Sequence, residues 1–167
     1  MAITFANAVA LLKHRIWRMF RTRQLRNNYV THLRESASSL DERVRFHFDH
    51  IEVYWDRCLG FLPEYQGNTA SLLSSDLGAC VIVATEFASL DVHAYCFRYA
   101  AQPLQDSWDR YVSGLAGLSR GVSNGPDGVN SCARMFAAVR ELHKKLLSQT
   151  PTDSTADHTR RPENFGG

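Results

Sequence analysis

Apolar residues recur along this chain at helical spacing in five places. Phe5, Val9, Leu12, Ile16, Met19 and Phe20 fall on one face at a 3.6-residue period, which predicts a helix over about 3–36. His14, Arg18 and Arg21 fall opposite that stripe, Lys13 and Arg15 lie at its borders, and Trp17 sits off it. The stripe stops at Arg23, where the helix is expected to kink or to change partner. Ser36, Ser38 and Ser39 then mark a turn. A second helix, over 40–59, opens with a capping box at Ser39 and Glu42 and carries Val44, Phe48, Ile51, Trp55, Cys58 and Leu59 on one side, with Gly60 as its stop. The third, 76–101, is apolar nearly all round, with Cys80, Val81, Ile82, Val83, Phe87, Leu90, Val92, Tyr95 and Phe97, and so belongs at the centre of a bundle.

A fourth helix, 103–118, begins at Pro103 and carries Leu104, Trp108, Tyr111, Val112 and Leu115, with Gly114 and Gly117 either fraying it or allowing close packing. A fifth, 129–148, turns Val129, Cys132, Met135, Phe136, Val139, Leu142 and Leu146 inward. Residues 60–75 and 119–128 read as loops, and 151–167 as a polar disordered tail. The expected fold is therefore an all-α, single-domain bundle of about five helices. It divides into a basic amphipathic N-terminal helix (1–36), a helical core (37–150) and the tail. The alternative is α+β. Val44, Phe46 and Phe48, then Ile51, Val53 and Trp55, also alternate with period two, and Cys80–Val83 and Val92–Tyr99 favour strands, so short strands in 43–57 and 79–99 compete with the helices there.

Charge alters this picture at one end. Seven of the nineteen basic residues stand before the first acid, Glu35: Lys13, Arg15, Arg18, Arg21, Arg23, Arg26 and Arg34. A net +2 therefore conceals a +7 arm on a −5 remainder. Such asymmetry points to a charged partner, or to the arm docking on its own body. Cys58, Cys80, Cys96 and Cys132 stand apart in apolar stretches, without a Cys-x-x-Cys pair, and read as buried free thiols. No uncharged run reaches the length of a spanning helix, and the N-terminus lacks the pattern of a secretory signal.

Motifs of catalysis are weak. His47 and His50 share a helix face with Asp49, Glu52 and Asp56 nearby, but no Glu-x-x-His occurs to build a di-iron pair. Cys96 and His93 are a chance spacing. Glu86 and Asp91, inside the apolar third helix, need partners and read as structural salt bridges, with Arg98 the nearest base along the chain. Gly125-Pro126-Asp127-Gly128 is a turn, not a phosphate cradle. No catalytic residue, cofactor or metal is called for.

The functional residues are those of the arm: a basic docking face of Lys13, Arg15, Arg18, Arg21, Arg23 and Arg26, and an apolar docking stripe of Phe5, Val9, Leu12, Ile16, Met19 and Phe20. Leu12-Lys13-His14-Arg15, followed by further arginines, resembles the Leu-Tyr-Arg start of a family of small mitochondrial helical proteins, without that motif's tyrosine; no function is carried over from it. The sequence supports a non-enzymatic accessory subunit, docking on other protein subunits of an organellar, mitochondrial, membrane-associated complex, with an anionic membrane surface as a further partner. The alternative is a viral or ribosome-associated nucleic-acid-binding protein whose arginines meet phosphates while Trp17, Phe20 or Tyr29 stack.

Overall fold

A computed structural model describes residues 5–65, 68–122 and 125–150, with side chains from residue 12 onward. These form an all-α bundle of six helices: α1 (Phe5–Ser36), α2 (Leu40–Phe61), α3 (Thr69–Ser74), α4 (Asp76–Tyr99), α5 (Gln102–Ser119) and α6 (Gly125–Gln149). A short 3₁₀ turn, Leu62–Tyr65, follows α2. The described residues contain no strand, so 43–57 and 79–99 are helical. The tail, 151–167, lies outside the described residues.

The cap at the start of α2 forms as its spacing predicts. Glu42 N–H donates to Ser39 Oγ (3.2 Å), and Ser39 N–H donates to Glu42 Oε2 (3.0 Å). That carboxylate also accepts from the backbone and hydroxyl of Ser38, and these donors hold its pKa down at about 2. Gly60 does not stop the helix. α2 runs through it to Phe61, because Gly60 keeps ordinary helical dihedrals and the left-handed cap is missing. The predicted loop 60–75 instead contains α3, too short to show periodicity, whose N-cap Asn68 accepts from Ser71 N–H at 2.9 Å. Ser75 alone separates α3 from α4, closing the first helix through its N–H and opening the second through its hydroxyl. α6 begins four residues earlier than its apolar stripe suggests, with Pro126 in the first turn.

α4 packs against α1, α2, α3 and α5, as a central helix should. It is also long and apolar enough, by length and composition alone, to cross a membrane. It is not buried all round, however: Leu90 and Phe97, read as part of its inner surface, stand 72% and 94% exposed. Tyr111 is fully buried among α2, α4 and α6. It accepts from Trp55 Nε1 at 2.9 Å and lies 3.3 Å from the Thr85 hydroxyl. Gly114 faces α6, where a Cβ would lie 2.8 Å from Met135 Cε, the flexible end of a side chain that can move aside. All four cysteines are free thiols. Burial pushes Cys58 up to about 12 and both Cys96 and Cys132 up to about 11, which keeps them protonated and inert.

Candidate docking helix

α1 is one continuous helix with two environments. Its second half lies on the body, parallel to α4 and antiparallel to α2. Tyr29 and Leu33 are buried there, and the Tyr29 ring stacks on Phe87 and His47 and meets Phe46 and His50 edge-on. The Tyr29 hydroxyl lies 2.6 Å from His47 Nδ1, and His47 Nε2 lies 2.7 Å from Asp91 Oδ2. Arg43 donates to the same carboxylate from Nε and Nη2. Burial works to raise the Asp91 carboxyl, but His47 and Arg43 outweigh it and hold it below its ordinary value. This Tyr–His–Asp–Arg chain ties three helices together. Its polar atoms are occupied by one another, and burial pushes the tyrosine hydroxyl up, away from reactivity.

The network accounts for the acids that stood out in α4, with different partners from those expected. Asp91 pairs with Arg43 and His47, and Glu86 pairs with Arg26 (2.7 Å), while Arg98 lies over the Tyr99 ring. His47 and His50 do not converge: His47 points into the buried chain, and His50 Nδ1 lies 2.9 Å from the Phe46 carbonyl. No group of three potential metal ligands is found among the described residues. His93 bonds Gln105, apart from the buried Cys96. Tyr29, offered above as a stacking platform, is only 6% exposed and unavailable to a base.

The signal for the buried chain was legible in principle. Arg43 and His47 are four apart on one face of α2, and His47 and Asp91 each interrupt an apolar run, where a polar group must find a partner.

The first half of α1 has no such cover. Arg21 donates to Asp76, the first residue of α4, through Nη2 at 2.8 Å. The helix turns before Arg21 therefore reach beyond that end of α4. Every side chain from Leu12 to Phe20 is exposed, including Leu12 (58%), Ile16 (42%), Trp17 (58%), Met19 (64%) and Phe20 (63%). Phe5 and Val9, the remaining stripe residues, have side chains outside the described residues.

The six basic candidates divide in two. Arg21 and Arg26 are held by Asp76 and Glu86, so part of the arm does dock on its own body. Lys13, Arg15, Arg18 and Arg23 are exposed and make no ion pair among the described residues. The predicted change of partner near Arg23 is the change from solvent to body, and it occurs without a break in the helix.

Fold and surface together define a class: a closed helical bundle carrying a cationic, apolar-striped helix that overhangs it. Comparison with protein-family models, with curated proteins and with solved structures found no match for this chain.

Proposed function

We propose that this protein is a non-enzymatic docking subunit, attached to a larger assembly by the overhanging half of α1. The reading rests on one observation: Leu12, Ile16, Met19 and Phe20 form an apolar stripe that faces solvent, while the second half of the same helix docks on the body through the buried Tyr29 and Leu33. Solvating four large apolar side chains together is costly, and contiguous exposed apolar surface marks an interaction site. The cations around the stripe define what it meets, a surface both apolar and anionic, such as that of an organellar membrane-associated complex.

The test is Ile16→Glu with Phe20→Glu in the full-length protein, followed by size fractionation of cell extract and identification of co-fractionating subunits. Both side chains are exposed, so helix content and melting temperature should stay at wild type while the protein leaves its high-mass fraction. A variant that remains in the same fraction with the same subunits would refute the proposal.

One observation favours nucleic acid as a second reading: the exposed Trp17 ring shares its stretch of α1 with the exposed Lys13, Arg15 and Arg18, which make no ion pair among the described residues. Affinity for RNA or DNA would then fall linearly in log–log terms with salt, and would be unaffected by loss of the apolar stripe.

A further inference from the structure

We infer that the outward face of α1 seats flat on an anionic lipid bilayer, with its first turns inserted at the boundary between headgroups and acyl chains. This inference rests on the docking reading above and names its partner.

The first argument is angular. At 3.6 residues per turn, Ile16 and Arg34 are separated by about five whole turns and share one side of the helix. The same side carries Leu12, Met19 and Phe20 at the overhang and Arg23, Asn27 and Arg34 farther along, all exposed. The buried contacts Tyr29 and Leu33 lie about a third of a turn away from this side. Val30, five turns from Leu12 on this side, is half-buried, whereas every side chain from Leu12 to Phe20 is exposed, so it is the overhang that a flat surface can touch. Residues 5–20, at about 1.5 Å each, offer about 24 Å of overhang to lie on it.

The second argument is charge. No acid occurs in residues 1–34, so pairing this face with a second copy of itself would set cation against cation. The occupant must be anionic along the whole face yet apolar beneath its first half. Phosphates of a nucleic acid meet the first condition and give four apolar side chains nowhere to go. The interface of an anionic bilayer meets both. Lys13 and Arg15 border the stripe, where long stems lie along apolar surface and the charged heads return to the headgroups. Trp17 sits at the same border, the level at which indoles settle in membranes.

The experiment is flotation of the full-length protein with vesicles of phosphatidylcholine alone or of phosphatidylcholine mixed with phosphatidylglycerol. Tryptophan emission is read in parallel. Trp17 is exposed whereas Trp55 and Trp108 are buried, so a blue shift on binding that disappears in Trp17→Phe reports on the overhang. Wild type is expected to bind the anionic vesicles on the order of 100-fold more tightly than the neutral ones. Both Ile16→Glu/Phe20→Glu and Lys13→Glu/Arg15→Glu should abolish flotation with an unchanged circular dichroism spectrum.

Equal binding to both vesicles, binding that survives either double variant, or no binding at all overturns the inference. If vesicles are not bound but Ile16→Glu/Phe20→Glu still releases the protein from its high-mass fraction, the docking reading stands and the occupant is an acidic protein groove. If that fraction is also unchanged, both fall.

Discussion

Replacing Gly78 with alanine sets a small helix-favouring change against a backbone. A Cβ at Gly78 would fall inside contact distance of the Leu72 carbonyl oxygen and of Leu73 Cα, and 2.8 Å from the Leu73 carbonyl carbon. Carbon atoms at rest in a core sit about 3.5–4.0 Å apart, and backbone atoms cannot rotate away as a side chain can. α3 and α4 must therefore separate. Ser75 joins them, with its hydroxyl donating to Leu72 O (2.6 Å) and accepting from Gly78 N–H (3.2 Å), and Leu72 and Leu73 are buried beneath the corner. Overpacking costs about 1–3 kcal/mol, and the upper end applies where the obstacle is main chain. Loss of the Ser75 cap adds about 1 kcal/mol, and the better helix propensity of alanine returns about the same amount. The net expectation is destabilisation by about 3 kcal/mol, which for a chain of this size lowers the melting temperature by roughly 6–12 °C. Gly60→Ala is the control: nothing lies within 4 Å of its Cβ position, so the same change in α2 should stabilise by about 0.5–1 kcal/mol. Urea denaturation followed by ellipticity gives both values from the shift in midpoint at constant slope. If the two variants move the midpoint in the same direction, the steric argument for the α3–α4 corner is wrong.

Ala100 closes α4 in the left-handed region (φ 52°), where a Cβ costs about 1–2 kcal/mol. Ala100→Gly should therefore raise the urea midpoint by the equivalent of about 1 kcal/mol. Tyr29→Phe leaves His47 Nδ1 buried without its partner and should cost about 1–3 kcal/mol by the same assay, with amide exchange in the second half of α1 accelerating. Burial holds His143 down at about 4, well below its ordinary value, with Nε2 unpartnered. The unfolded chain takes up its proton near pH 6.5, before the folded one does. Stability is then fully present above that pH and falls between about 6.5 and 4. This residue alone should lower stability by about 2 kcal/mol from pH 7 to pH 5. His143→Phe, which can keep the ring contacts to Phe48 and Tyr95, should flatten the acid limb by that amount.

The bundle was legible because its signals are local and repeated. Val44, Phe48, Ile51 and Trp55 recur at helical spacing and are all buried, and the Ser39–Glu42 box forms as its spacing requires. What escaped was short or non-local. α3 spans six residues, less than two turns, so no period can be read from it. Leu90 and Phe97 are as apolar as Val81 and Val92, and only the placement of the neighbouring helices decides which side of α4 is covered. Partners for acids are long-range as well. Arg26 and Glu86 are 60 residues apart, and nothing in either segment names the other. The apolar stripe of α1 was visible, but not that its body-facing side is a different one.

That difference bears on how the two halves of α1 work together. The ion pairs Arg21–Asp76 and Arg26–Glu86 are about half exposed and contribute little, so Tyr29, Leu33 and the His47 bond hold the helix to the body. The two arginines serve another end: they neutralise acids at the edge of a body that is net negative beyond residue 34. On an anionic bilayer that body is repelled while the overhang is attracted. Screening confines both effects to about 8–10 Å at physiological salt. Attraction is felt by Lys13, Arg15 and Arg23, and repulsion is felt fully only if the molecule turns body-first. On such a surface the lopsided charge would favour the overhang turned toward the lipid over the body turned toward it.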